Sequence, residues 1–164
     1  DLGPLVNQKQ HERVRQILAS ARAEGLTEAA RGQVLADAPA AGYYQEAVLF
    51  RDVPQDSVLV QEEIFGPILV AQPFRTEAEA LAMANATPYG LVAGVWTRDG
   101  GRQLRLARQL RCGQVFINNY GAGGGVELPF GGVKSSGYGR EKGFEALLGF
   151  TTLKTVAIRH GTID

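Results

Sequence analysis

The sequence predicts an α/β fold in three layers, a mainly parallel sheet with helices on both faces. Three observations carry that expectation. Short apolar runs of the buried-strand type alternate with stretches patterned at helical spacing. The order of the central elements is strand, helix, strand, helix, strand, which favours parallel pairing through helical crossovers. The composition is that of a globular chain, with 45% hydrophobic and 21% charged residues among 164.

The elements follow in chain order. Asn7 with Gln10 three residues on reads as a capping box. Val14, Ile17, Leu18 and Ala21 recur behind it at helical spacing, and Gly25 supplies a stop. A helix is therefore expected over 8–24. Residues 26–46 are weakly patterned, and a hairpin or an irregular excursion is expected there. AVLFRDV (47–53) is strand-like and ends at Pro54. PILVAQPF (67–74) has the texture of a buried strand. Thr76 and Glu79 form a second capping box, opening a helix that Pro88 and Gly90 close. LVAGVWT (91–97) is a strand. Asp99-Gly100-Gly101 turns the chain into a helix over 102–111, which Gly113 stops, and QVFIN (114–118) is a further strand.

From 119 the texture changes. NYGAGGGVELPFGGVKSSGYGREKG is glycine-rich and without periodicity, yet Tyr120, Leu128, Phe130 and Tyr138 punctuate it. An ordered loop of that length inside a compact domain is usually functional. REKGFEALLG (140–149) reads as helical. FTTLKTVAIRH (150–160) reads as a β-branched strand with no partner in the sequence, the kind that joins a sheet in another subunit.

Charge and composition exclude several classes. Lys+Arg and Asp+Glu both number 17, so no net field draws nucleic acid or an anionic membrane. No apolar run approaches the roughly 20 residues of a spanning helix. The single cysteine, Cys112, fits a reducing compartment, and a cytoplasmic location is expected. The length fits one domain, with no linker in view. The chain opens at Asp1, which suggests a piece from within a longer protein.

Each candidate for chemistry has a bland rival. GYGREKG (137–143) is one residue too long for a dinucleotide fingerprint and follows no strand. GGVKSS (131–136) has Val133 where a phosphate loop needs Gly. Both read better as turn-rich loop. Cys112 sits at the C-terminal end of a helix, the wrong end of the dipole for a thiolate, so a buried structural cysteine is expected. His11 and His160 lack partners at metal-ligand spacing and are expected at the surface, with no metal bound. Arg102, Arg105, Arg108 and Arg111 drift around their helix by about 60° per step, so they form a solvated face rather than one ridge.

QEEIFGPILV (61–70) is the stretch that resists a bland account. An ionised Glu63 accepts only, and can hold two hydroxyls at once, as on a ribose. Phe65 can cover the face of an apolar ring. Gly66 permits close approach, and Pro67 fixes the exit of the loop. On these residues alone, a surface turn before a strand is the stronger reading.

EEIFGPIL, ANATPYGLVAGVWTRD, GQVFINNY and PFGGVKSSGYGREKG, in this order and at these separations, resemble the C-terminal part of the aldehyde dehydrogenase superfamily. GPLVNQKQHERVRQILASARAEG is similar too, and the resemblance is weakest over 26–46. It implies an aldehyde-dehydrogenase-like catalytic domain and a parent enzyme that oxidises a small-molecule aldehyde to a carboxylic acid with NAD or NADP. It implies that Glu63 holds the nicotinamide ribose and Phe65 packs near the nicotinamide. Phe130 is implied in the substrate tunnel. Residues 1–149 would be part of the cysteine-bearing catalytic domain, and 150–164 an oligomerisation strand in a homo-oligomer, a dimer or a tetramer. No nucleic-acid or membrane partner is implied.

The departures are equally specific. The family's nucleophile, general base and dinucleotide-binding fold lie upstream of DLGPLVN in the family's order. Cys112 matches a small-residue position and not the nucleophile. The loop YGAGGGVELPF is glycine-rich where other members carry bulky side chains, so the aldehyde stays open. The chain by itself is then expected to be inactive. The alternative is a non-enzymatic protein that kept the fold as an oligomerisation or interaction module.

Overall fold

The structure is a computed structural model that describes residues 2–121 and 125–161. The chain forms two compact units, Asp1–Thr87 and Pro88–Asp164, where the length alone suggests one.

In the first unit, α1 (Gln8–Ala23) starts at Asn7, whose Oδ1 accepts from the Gln10 amide at 2.9 Å. A side-chain acceptor there satisfies one of the orphan donors of the first turn. Val14, Leu18 and Ala21 form the buried stripe of α1, as their spacing predicts. They pack with Val48 and Phe50 of β2 (Val48–Arg51), with Val53, with Leu59 of the short α2 (Val58–Gln61), and with Ile64. β2 pairs in parallel with β3 (Ile68–Ala71). β1 (Thr27–Arg31) pairs with β2 antiparallel, with a bulge between Glu28 and Ala30. Residues 26–46 thus contain one arm of a wide hairpin, and this sheet is mixed. α3 (Glu77–Asn85) opens at Thr76, whose Oγ1 accepts from the Glu79 amide at 3.1 Å. Glu79 accepts in turn from the Arg75 amide at 2.8 Å, so this capping box forms one residue out of its usual register.

In the second unit, β4 (Val92–Val95) and β5 (Gln114–Ile117) pair in parallel, with α4 (Gly100–Gln109) between them in sequence. Asp99 caps α4 through the Arg102 amide at 3.0 Å. The α/β class and the parallel pairing stand, but the strands form two separate sheets rather than one.

The glycine-rich loop is ordered wherever it is described; Ala122, Gly123 and Gly124 lie outside the described residues. The Val133 amide donates to Gly90 O at 2.9 Å, and the Gly90 amide donates to Ser136 Oγ at 3.0 Å. A Cβ on Gly113 would overlap the Gly131 carbonyl, so the loop lies directly on the backbone that leads into β5. The helix expected over 140–149 shortens to α5 (Glu145–Gly149).

The segment expected to pair with another subunit, 150–160, pairs with no strand of its own chain among the described residues. Thr151–His160 are exposed and in no ladder among the described residues. A lone strand leaves its N–H and C=O groups unpaired, and a β pattern in sequence cannot supply the second strand. Residues 162–164 of the expected tail lie outside the described residues.

Candidate functional site

The loop between α2 and β3 carries Glu63 and Phe65. Ile64 is its inward anchor, 8% exposed in the core of the first unit. With Ile64 turned in, the flanking side chains of Glu63 and Phe65 are exposed, the Phe65 ring to 69%. Phe65 has φ 54°, in the left-handed region that a bulky side chain adopts only at a cost. Immediately after it, the Ile68 amide donates to Gly66 O at 2.8 Å around Pro67. The Val48 amide donates to Pro67 O at 2.9 Å and ties the exit to β2.

Gly66 is packed against α1. A Cβ there would come within 2.6 Å of Val14 Cγ2. The close approach that the structure shows is to α1. Helix and loop meet with no room for a methyl group.

The loop backbone is also held by polar side chains of α1. Gln10 Nε2 donates to Ile64 O at 2.7 Å and to Phe65 O at 3.0 Å. Arg13 donates from one guanidinium nitrogen to Ile64 O at 2.8 Å and Glu63 O at 3.4 Å. Its other terminal nitrogen donates to Glu62 Oε2 at 3.0 Å. Sequence reasoning assigned Gln10 to a capping box; Asn7 does cap α1, but the Gln10 amide leaves the helix end for the loop. Gln10 and Arg13 share a helix face three residues apart, and that spacing is the one signal in the sequence that could have singled them out.

Phe130 lies in the second unit and is half-buried. Its backbone exchanges two hydrogen bonds with Glu141, each 2.6 Å, and Lys142 Nζ stands 5.5 Å from its ring centroid. Gln114 Nε2, at the start of β5, donates to Pro129 O at 3.1 Å and fixes the preceding residue. The ring is thus set by the loop fold and not by its own packing alone.

The remaining candidates separate clearly. Cys112 is half-buried, and its thiol donates to Gln114 O at 3.1 Å. Burial pushes the Cys112 thiol up from its ordinary value, away from the thiolate a nucleophile needs. The arginines of α4 and the adjoining Arg111 are exposed, as the helical drift predicts. His160 is exposed, but His11 is half-buried beside Tyr43, with ring centroids 6.2 Å apart, so its surface expectation does not hold. Among the described residues there is no group of three or more His, Cys, Asp or Glu placed to hold a metal ion. Within the same residues, no helix is long and apolar enough to cross a membrane.

The first unit combines a mixed sheet braced by α1 with an outward Glu-x-Phe loop, the second sets a glycine-rich loop over a parallel strand pair, and both are of the α/β class. The aldehyde dehydrogenase family model matches residues 1–156, and the chain belongs to the aldehyde dehydrogenase family. It is 42% identical to 4-trimethylaminobutyraldehyde dehydrogenase of Rattus norvegicus, over 99% of this chain and 33% of that protein. It is 42% identical to betaine aldehyde dehydrogenase of Brucella anthropi, over 99% and 34%. A solved aldehyde dehydrogenase from Mycobacterium tuberculosis, complexed with NAD+, superposes with a TM-score of 0.88 at 36% identity, over 100% of this chain and 33% of that one. The chain therefore spans about a third of the length of the curated relatives it matches.

Two outcomes are expected from this geometry. Gly66→Ala should force Val14 and the loop apart and lower stability by about 1–3 kcal/mol, the usual range for overpacking, read by urea unfolding. Cys112 in the folded chain should react with iodoacetamide more slowly than free cysteine at pH 8, and faster once urea unfolds the chain. Because its pKa is raised, the folded thiol gains reactivity only at a pH above that of an ordinary thiol.

Proposed function

We propose that these residues supply the cofactor-gripping and substrate-lining parts of an NAD- or NADP-dependent aldehyde dehydrogenase, which oxidises a small-molecule aldehyde to a carboxylic acid. The observation that carries this reading is the exposed Glu63–Phe65 pair on a backbone fastened from α1. The residues suit a nicotinamide riboside. An ionised carboxylate accepts from two neighbouring ribose hydroxyls, and an exposed aromatic ring offers a flat apolar face. When bound, the nicotinamide supplies the hydride acceptor. Glu63 orients the ribose, and Phe65 shields the ring above it. Phe130, held through its backbone pairing with Glu141, lines the path of the aldehyde.

Cys112 is not the nucleophile. Covalent aldehyde oxidation needs a thiolate beside the cofactor, and burial raises this thiol's pKa, the direction that disfavours a thiolate. The 164 residues by themselves then do not turn over aldehyde.

The exposed tail is the homo-oligomer contact. Leu153 is 100% exposed, and Val156 and Ile158 each 70%, on a segment with no strand partner among the described residues. Apolar, β-branched side chains on a segment without a strand partner among the described residues suit strand addition to a second subunit.

In the whole enzyme, Glu63→Gln should slow pre-steady-state NADH formation about tenfold, the scale of a lost charge-assisted hydrogen bond. An unchanged transient would refute the ribose contact. Deleting 150–164 should lower the particle mass by light scattering to that of a smaller oligomer, and an unmoved mass would refute the tail contact.

A further inference from the structure

We propose that Lys142 is a specificity-determining residue that holds its ammonium over the ring of Phe130 and so selects aldehydes by the charge at their far end, anionic before neutral before cationic. The proposal rests on the reading of Phe130 as lining the path of the aldehyde, and it names the substrate class that this path admits.

The ammonium is aimed by backbone fastened on both sides of it. Phe130 and Glu141 exchange two backbone hydrogen bonds, each 2.6 Å. Two residues on, the Gly143 amide donates to Val126 O at 2.8 Å. A Cβ on Gly143 would come within 2.9 Å of Pro129 Cγ, so this segment lies directly on the residues that precede Phe130. Lys142 stands between those fastenings with φ 62°, in the left-handed region. A long side chain persists there only where its surroundings over-determine it. From that backbone, Nζ stands 5.5 Å from the Phe130 ring centroid, and both residues are half-buried.

That position decides what the ring can attract. An aromatic face draws a cation through its quadrupole. Here a cation of the chain itself already takes the place. A quaternary ammonium brought to the same ring would add a second positive charge, in a site where burial weakens screening. A carboxylate would meet an ammonium that can donate to it. Arg140 adds to the same sign. It is half-buried, and its guanidinium donates to Gly132 O at 3.1 Å and Gly139 O at 2.6 Å. Its Cδ lies 3.2 Å from the place a Cβ on Gly131, next to Phe130, would take. The acidic residues nearby in sequence, Glu127, Glu141 and Glu145, are exposed, where water and salt screen them.

Simple stabilisation is a poorer account of the same placement. A glycine or an asparagine turns the chain through the left-handed region at less cost than a lysine does. The strained position instead carries a long cationic side chain, set over the one ring assigned to the aldehyde path.

The test is kcat/KM of the whole enzyme for three aldehydes of similar length. They are 4-trimethylaminobutyraldehyde, its uncharged isostere with carbon in place of nitrogen, and an aldehyde ending in a carboxylate. The unaltered enzyme should rank the carboxylate first and place the cation about tenfold below the isostere. Lys142→Met, similar in length but uncharged, should close that gap, whereas Lys142→Arg should keep it. A merely structural role would move all three aldehydes alike. A cation preferred by the unaltered enzyme, or a ranking unmoved by Lys142→Met, would overturn the proposal. Phe130→Leu separates the two levels. If it raises KM for the uncharged isostere while Lys142→Met leaves the ranking as it was, the path assigned to Phe130 survives and the selecting role of Lys142 falls. If Phe130→Leu leaves every KM untouched, the assigned path falls, and the role of Lys142 with it.

Discussion

The contact between Val14 and Gly66 is the constraint on which the first unit depends. Val14 is fully buried, and Gly66 has no room for a Cβ against it. That contact sets how near α1 lies to the loop. Nearness lets side chains as short as Gln10 reach the loop carbonyls directly, at 2.7 and 3.0 Å. The same approach draws Ile64 into the core and leaves the residues on either side of it exposed. One glycine therefore links helix packing to the presentation of a carboxylate and an aromatic ring. The handover from apolar contact to hydrogen bond is local, within one turn of α1.

The second unit uses the same device with backbone alone. Gly113 and Gly131 meet where no side chain fits, and the amides of Gly90 and Val133 close the join. The glycine-rich loop is consequently a built surface and not slack chain. Phe130 is positioned by its pairing with Glu141 and by Gln114 beneath the preceding proline. Few large side chains in this unit are buried: Val95 is at 8%, whereas Trp96, Tyr138, Phe144 and Leu148 are exposed by 71% or more. Apolar surface on that scale is characteristic of a face that meets other protein.

On the proposed reading, membership of the aldehyde dehydrogenase family and the placement of Cys112 together separate gripping from chemistry. The only thiol of this chain is raised by burial and bonded to a backbone carbonyl. Glu63 and Phe65, by contrast, are exposed on a fastened loop. A rigid frame that presents a few oriented groups is the usual way a protein serves a cofactor that carries the reactive chemistry itself.

Much of the local structure was legible in the sequence, because it is encoded by neighbours along the chain. Asn7, Thr76 and Asp99 each cap a helix through an amide three residues on, and such spacings can be counted directly. The buried stripe of α1 and the parallel strands follow from periodicity, whereas Glu63, Phe65 and Phe130 became candidates only through the resemblance to a family. The sequence could not tell what Gly66 approaches or where the amide of Gln10 points. It could not tell that β1 pairs antiparallel or that the strands fall into two sheets. Each of these depends on a partner far away in sequence, 54 residues in the case of Gln10 and Ile64. A residue pattern states what a backbone can form. Only the tertiary structure decides which distant donor, strand or side chain completes it.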